Sequence, residues 1–374
     1  MRIFDRKPAL RWMAPAALVL VIGGTGGLVA TTATADPQLP TRTAAELLVA
    51  LQKANVDAMS GKVVQTSDLG IPDLPGVGGR HKADFTSLIS GTHSMGVWYS
   101  GPDKARIALY GAEQGTLDEA DIFRNGSDVW TWSYKDKTAT HRTLPNRPTD
   151  KSAEKQPSDL PKTPEEAADQ ALKAIDPTTT VSTDKNVQVA GRDAYELVLE
   201  PKTKDSLVTQ VRIAIDGEKL VPLRVEVFAG DVKAFETGFT SVDFARPDDA
   251  QFRFVPPAGT KVTEVPPDTD EKRGSAASKH AEKKTAADRP AGAEQPKVVG
   301  SGWSTIVVTK VPAGDAESAT GQLGQVLNAL PKVSGDWGSG RLLSGTAFSA
   351  VLTDDGRLAV GSVKPELLYK ALAK

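Results

Sequence analysis

The feature that most constrains the fold is a period of two in the apolar residues. It begins near His93 and returns in most segments up to Ala245. The alternating apolar positions that we expect on one face are Met95, Val97, Tyr99, Val211, Ile213, Ile215, Val225 and Val227. Polar or charged residues such as Arg212, Arg224 and Glu226 lie between several of them. Successive side chains of a strand point to opposite faces, so this spacing predicts an antiparallel sheet with one wet face.

A hairpin is predicted around the turn signal Asn125-Gly126. Counting from that turn places four aromatic residues on one face, namely Phe123, Trp130, Trp132 and Tyr134. The opposite face carries Ile122, Val129, Thr131 and Ser133, which are mostly small or polar. We therefore expect the aromatic face to point inward. A two-residue turn at Asp136-Lys137 would then place Tyr134 opposite Ala139 and Trp132 opposite His141.

Two helices are predicted to accompany this sheet. The first spans Thr43 to Met59, where Thr43 and Glu46 form a capping box. The second begins at Thr163, with Pro164 in its first turn, and ends at Asp176-Pro177. Both have an apolar side that can cover one face of a sheet.

The chain is predicted to be exported and to have two folded parts. Residues 1–35 combine a basic start, an apolar run and a small-x-small cleavage site, as in a signal peptide. An uncleaved amino-terminal anchor is the alternative. Residues 40–265 hold the predicted sheet, residues 266–297 have the composition of a disordered linker, and residues 298–374 form a small α+β domain.

Composition and motifs argue against several classes of function. The net charge is -2, which disfavours a nucleic-acid binder. There is no cysteine and there are only four histidines, so a metal site or a disulfide framework is not expected. No catalytic motif for hydrolysis, phosphate binding or metal-dependent proteolysis is present. We expect a protein that is not an enzyme and that uses no cofactor.

Three stretches carry a resemblance to a known family. They are "VWYSGPDKARIALY", "DIFRNGSDVWTWSYKDKTATHRTLP" and "FTSVDFARPDDAQFRFVPPAGTKV". In this order they resemble the LolA-like lipoprotein-carrier superfamily, including RseB/MucB-type sigma-E regulatory proteins. The resemblance covers about Thr43 to Val265. It implies an unclosed antiparallel β-barrel with a helical lid, and the RseB branch adds a small α+β carboxy-terminal domain.

The resemblance implies an extracytoplasmic protein that binds an acyl lipid or a lipoprotein in an apolar cavity. The predicted cavity wall consists of Met95, Val97, Tyr99, Phe123, Trp130, Trp132, Tyr134, His141, Val211, Ile213, Ile215, Val225 and Val227. We interpret His141 as a wall residue rather than as a base. The alternative function is that of a regulator which binds a membrane-bound anti-sigma factor or a transporter. A structural envelope protein with a filled interior is a third hypothesis, because a cavity wall and a core need the same residue types.

Overall fold

The computed structural model describes residues 39–71, 85–113, 116–144, 177–265, 296–310 and 330–373. The predicted signal peptide, nearly all of the predicted linker and the predicted helix from Thr163 therefore lie outside the described residues. The same holds for the Pro- and Gly-rich loop around His81, and for His280. Within the described ranges, no helix has the length and apolar character needed to cross a membrane.

The larger part of the described chain is one thirteen-stranded sheet. Its strands are β1 (Ala58–Ser67), β2 (Gly91–Ser100), β3 (Lys104–Glu113), β4 (Thr116–Asn125), β5 (Asp128–Ser133), β6 (Thr138–Thr143), β7 (Thr179–Thr183), β8 (Val187–Val189), β9 (Arg192–Pro201), β10 (Gln210–Asp216), β11 (Pro222–Ala229), β12 (Val232–Asp243) and β13 (Lys261–Val265). They are ordered β13-β6-β5-β4-β3-β2-β1-β12-β11-β10-β9-β7, and β8 pairs with β9. The two end strands of this order do not pair with each other, so the described sheet is unclosed. The predicted fold class is confirmed.

All pairings in this sheet are antiparallel except that of β13 with β6. The predicted hairpin is present: Asn125 pairs with Asp128, and Gly126 has a φ of 66° in the loop. Glycine adopts this left-handed conformation without the steric cost that a Cβ brings. Asp216-Gly217, another two-residue turn signal in the sequence, lies between β10 and β11.

The first helix, α1, spans Ala44–Lys53 and is shorter than predicted. Its capping box is formed as expected, because Thr43 Oγ1 accepts from Glu46 N and Glu46 Oε2 accepts from Thr43 N. The predicted end at Met59 is wrong, since Ala58 and Met59 already belong to β1 and pair with Ser100 and Tyr99. Pairing with β2 overrides the helical preference of Ala58 and Met59, because intrinsic propensity is a weak determinant beside tertiary contacts.

A second sheet lies in the carboxy-terminal part of the chain. Its strands are β14 (Lys297–Val299), β15 (Ile306–Lys310), β16 (Lys332–Gly335), β17 (Gly338–Ser344), β18 (Ser349–Thr353) and β19 (Arg357–Gly361), in the order β14-β15-β19-β18-β17-β16. Helix α2 (Pro365–Leu372) covers one face, where Leu368 packs against Val351 and Ala359. A turn that contains Asp355-Gly356 joins β18 to β19.

The two sheets contact each other along a seam. Thr346 N donates to Leu69 O over 2.7 Å, and Leu207 N donates to Ser362 O over 2.8 Å. Trp303 Nε1 donates to Thr179 Oγ1 over 2.7 Å. The apolar residues along the seam are Val208, Ala234, Ala347, Leu69, Val211, Val227, Ala229 and Trp303. The carboxy-terminal sheet thus packs on one end of the larger sheet.

Candidate functional site

The two faces of the large sheet differ in what covers them, and this decides where a ligand can bind. We call the face that contacts α1 the inner face and the opposite face the outer face. Leu47 and Leu48 of α1 pack against Tyr195, Leu197 and Ile215 on the inner face. A 3₁₀ helix, Phe85–Ile89, covers the same face farther along, where Phe85 and Leu88 pack on a second apolar cluster.

The predicted wall residues do not share one face. The inner face carries Met95, Val97, Tyr99, Val211, Ile213, Ile215, Val225 and Val227. The outer face carries Phe123, Trp130, Trp132 and His141. The strand pairings show that the predicted wall residues are divided between the two faces. Phe123 lies opposite Arg106, and Arg106 lies opposite Trp98, so these three residues share one face. Trp98 alternates with Val97 along β2, so the aromatic set and the Val97 set point in opposite directions.

The expectation that the aromatic face points inward is therefore wrong. A segment after β12 covers this face from outside: Phe254 stacks on Phe123 at 5.0 Å between ring centroids and lies 5.4 and 5.6 Å from Trp130 and Trp132. Such pairs add to the stabilisation that burial provides. The sequence shows that these aromatic residues share a face, but it does not show which segment covers them.

The register of the β5-β6 hairpin also differs from the prediction. The connection contains four residues, Tyr134 to Lys137, instead of two. Trp130 therefore lies opposite His141, and Trp132 lies opposite Ala139. Ser133 Oγ donates to Asp136 Oδ2 over 2.8 Å and supports this longer turn. Tyr134 is left in the turn with 59% of its surface exposed, so it is not part of either wall.

His141 joins three strands on the outer face. Its Nδ1 lies 2.8 Å from Glu264 Oε2 on β13, and its Nε2 lies 3.1 Å from Asp128 Oδ1 on β5. The ring stacks on Trp130 at 4.2 Å between centroids. Burial would lower the pKa of His141, but the hydrogen bonds to Asp128 and Glu264 outweigh burial and raise the pKa above its usual value. This arrangement attaches β13 to the sheet and does not resemble a catalytic base facing a cavity.

Arg106 occupies the middle of the outer face. Its guanidinium lies 4.8 Å from the ring centroids of both Trp98 and Phe123, and its Nε donates to Asp121 Oδ1 over 2.8 Å. Burial raises the pKa of Asp121 to about 7, although Arg106 acts in the opposite direction. Asp121 is 3% exposed, and its bond to Arg106 lies on the outer face. We interpret this group as part of the outer packing.

The apolar residues of the inner face are largely in packed contact. Met95 and Ile215 are fully buried, and Val97 and Val225 are almost so. Met95 contacts Leu109 and Ala120 beneath the 3₁₀ helix, and Ile215 lies beneath α1. Val211 and Val227 contact the carboxy-terminal sheet. In this conformation these predicted wall residues therefore act as core beneath their covers.

An open cavity of about 520 Å³ lies at the inner face of β4, β5 and β6. Its lining includes Thr131, Ser133, Thr138 and Thr140, with Phe85 and Ala120 at the side of the 3₁₀ helix. Trp132 and Asp121, which alternate with these residues along β5 and β4, also belong to the lining. The face of Thr131 and Ser133 was expected to point outward because it is polar, and this expectation is wrong. Thr131 lies opposite Ile122, Ile122 lies opposite Ile107, and Ile107 lies opposite Val97, so Thr131 shares the inner face with Val97.

The described residues offer no metal centre: no group of three or more His, Cys, Asp or Glu side chains among them could hold an ion. Two pairs of adjacent aspartates could be considered as an acid and a base, Asp248-Asp249 and Asp354-Asp355, but both lie in turns or caps. Asp248 caps the 3₁₀ helix Asp249–Phe252, and Asp355 bonds with Thr353 and Arg357. Their bonding partners account for both pairs structurally.

No protein-family model and no curated protein matches the chain. Among solved structures, the MucA/MucB complex of Pseudomonas aeruginosa is 13% identical, with 88% of this chain and 96% of that chain covered and a TM-score of 0.41. A LolA superfamily protein from Nitrosomonas europaea is 12% identical, with 57% and 99% covered and a TM-score of 0.22. An uncharacterized conserved protein from Thermus thermophilus is 11% identical, with 59% and 98% covered and a TM-score of 0.34.

Proposed function

We propose that this protein is an exported binding protein that holds the acyl chain of a lipid or lipoprotein on the inner face of its half-barrel, without catalysing a reaction. The observation that supports this most is the nature of the inner cover. In the described part of the chain, the inner apolar clusters lie beneath a ten-residue helix, a five-residue 3₁₀ helix and the edge of the carboxy-terminal domain. Each of these elements is small enough to be displaced by a ligand.

The energetics of α1 favour such an exchange. Helices shorter than about 12 residues are marginal in water, so α1 depends on its packing against the sheet. Its two most buried leucines, Leu47 and Leu48, contribute roughly 1.5 to 3 kcal/mol each by burial. An acyl chain gains about 0.8 kcal/mol for each methylene removed from water, so roughly four to eight methylenes offset the loss of both leucines. Common acyl chains are longer than this.

The test is uptake of a fluorescent fatty-acyl probe by protein that has been stripped of bound lipid. Ile213→Ser places a hydroxyl on the inner face next to the α1 cluster, and we expect it to weaken uptake. The matched control is Trp130→Ala, because Trp130 lies on the outer face and is not among the residues that line the cavity. Both variants are compared at a temperature where circular dichroism shows them folded.

Two results would contradict the proposal. One is that neither the probe nor any lipid in organic extracts of the natively purified protein is found bound. The other is that Trp130→Ala weakens uptake as much as Ile213→Ser, since uptake would then not depend on the inner face. Mass spectrometry of those extracts also identifies the natural ligand if one is present.

The predicted regulatory role, docking on a membrane-bound anti-sigma factor or a transporter, stays a prediction from the sequence resemblance. One described surface is compatible with it. The carboxy-terminal sheet exposes Val298 and Val307, which pair with each other across β14 and β15. The location outside the cytoplasm, which is predicted from the amino-terminal sequence, is part of our proposal of an exported binding protein.

A further inference from the structure

The cavity at the inner face of β4, β5 and β6 differs in chemistry from the apolar clusters beside it. Thr131 lies directly opposite Thr140, and Ser133 lies directly opposite Thr138, so four hydroxyl-bearing side chains form two facing pairs. All four line the cavity of about 520 Å³. A hydroxyl group is both a hydrogen-bond donor and an acceptor, so this wall can bind groups of either kind.

Most of these hydroxyls are available to a ligand. Among the described residues, the side chains of Thr131, Thr138 and Thr140 make no hydrogen bond. Ser133 Oγ donates to Asp136 Oδ2 and accepts from Asp136 N, which leaves one of its two lone pairs for a ligand. Two facing pairs of hydroxyls in a concave surface suit a ligand that carries several hydroxyl groups better than they suit an alkyl chain.

The charges around the cavity select against anions. The lining includes the carboxyl groups of Asp118 and Asp136 and a single cationic side chain, Lys135. A third carboxyl residue of the lining, Asp121, pairs with Arg106 on the outer face and is thereby compensated. Carboxylates repel a phosphate or carboxylate headgroup at short range, which is a common source of specificity.

The cavity borders the apolar interior. Phe85 and Ala120 belong to its lining, and both also pack in the cluster of Met95 and Leu109 beneath the 3₁₀ helix. A ligand with its polar end among the threonines therefore has an apolar surface next to it. This is the layout required for an amphiphile that has two chemically distinct ends.

We propose that this cavity binds the uncharged, hydroxyl-rich headgroup of an amphiphile whose alkyl part lies on the adjoining apolar inner face. The proposal rests on the proposed function and narrows its ligand class. Plain fatty acids and phosphorylated lipids would be the poorer ligands, since their headgroups are anionic and meet Asp118 and Asp136.

The experiment compares amphiphiles that share a dodecyl chain and differ in the headgroup. Dodecyl maltoside, dodecanoate, dodecyl phosphate and dodecyltrimethylammonium are titrated below their critical micelle concentrations against protein loaded with the fluorescent acyl probe. We expect dodecyl maltoside to displace the probe at a concentration at least about tenfold lower than either anion, as the loss of one or two hydrogen bonds would give.

A double variant tests the hydroxyl wall itself. Thr131→Val with Thr140→Val keeps the shape of one facing pair and removes its hydroxyls. We expect it to weaken dodecyl maltoside binding by about tenfold and to leave dodecanoate binding unchanged. The matched control is Thr66→Val with Thr92→Val, a facing pair whose hydroxyls lie 3.2 Å apart on the outer face. It should change neither affinity.

The outcomes separate the two proposals. If the acyl probe binds but the four headgroups compete equally, or if an anion or the trimethylammonium compound competes best, the headgroup proposal is wrong while the acyl-binding function stands. An unchanged maltoside affinity in the Thr131/Thr140 double variant also overturns it. If the wild-type protein binds neither the probe nor any of the four amphiphiles, the proposed function fails, and the headgroup proposal fails with it.

Discussion

Removal of the cap of α1 should open the inner face. Thr43 Oγ1 accepts from Glu46 N over 3.2 Å, and Glu46 Oε2 accepts from Thr43 N over 2.7 Å. The hydrogen bond from the Thr43 backbone, more than any other contact, lowers the pKa of Glu46. Thr43→Ala removes the side-chain acceptor and costs about 1 kcal/mol of helix stability. The opened fraction of α1 should then rise about fivefold.

Two measurements follow this change. Native-state hydrogen exchange at the amides of Leu47 and Leu48 reports opening of α1, and stopped-flow fluorescence reports uptake of the acyl probe. We expect both rates to rise about fivefold in Thr43→Ala. The control is Asp248→Ala, which removes an equivalent cap from the outer 3₁₀ helix, where Asp248 Oδ1 accepts from Ala250 N over 2.7 Å. This control should accelerate neither α1 exchange nor uptake.

One pattern of results would refute this reasoning. If Thr43→Ala accelerates exchange in α1 while probe uptake keeps its wild-type rate, α1 is not the cover that the ligand displaces. The inner face would then have to be reached beneath the 3₁₀ helix Phe85–Ile89, which is tethered to β1 because Gln65 Nε2 and Ser67 Oγ both donate to Leu88 O.

Two further predictions concern the outer face and the seam. The raised pKa of His141 means that its bridge to Asp128 and Glu264 stabilises the fold fully below the unfolded-state value near 6.5 and is lost as pH rises through the folded-state pKa. The free energy of unfolding of wild type measured with urea should therefore exceed that of His141→Gln by the largest amount at low pH. A difference that is independent of pH would contradict this. At the seam, Trp303→Phe keeps an aromatic ring but loses the bond to Thr179, at a cost of about 1 kcal/mol. Calorimetry should show the two sheets unfolding less cooperatively, and an unchanged single transition would contradict this.

The sequence was sufficient for the sheet because strand patterning is local. Alternation along β10 and β11 correctly separates Ile213 and Val225 from Arg212 and Arg224, and the structure adds that Glu196 accepts from both arginines. The hairpin after Phe123 follows from one glycine that can take a positive φ. These features depend on residues that are close in the chain, so periodicity and turn chemistry define them.

The site was harder to predict because it depends on which element covers which face. An aromatic face can point inward or can be covered by a distant segment, and nothing local distinguishes the two. Phe254 lies more than a hundred residues after Trp130 in the chain, yet its ring lies 5.4 Å from it. The register of β5 and β6 was also missed, since a two-residue and a four-residue turn around Asp136 are both compatible with the sequence.

The corrected face assignment gives the half-barrel a different chemistry from the one its aromatic residues suggest. With Trp130 and Trp132 on the outer face, the inner face is aliphatic beneath α1 and the 3₁₀ helix and becomes rich in hydroxyl groups on β5 and β6. A cavity lined by aromatic residues would favour any apolar ligand. An inner face with one aliphatic and one hydroxyl-bearing end distinguishes between amphiphiles by their headgroups, because an unsuitable headgroup leaves polar groups without hydrogen bonds. Specificity in this protein should therefore depend more on Thr131 and Thr140 than on Trp130, which stacks on His141 at the outer face.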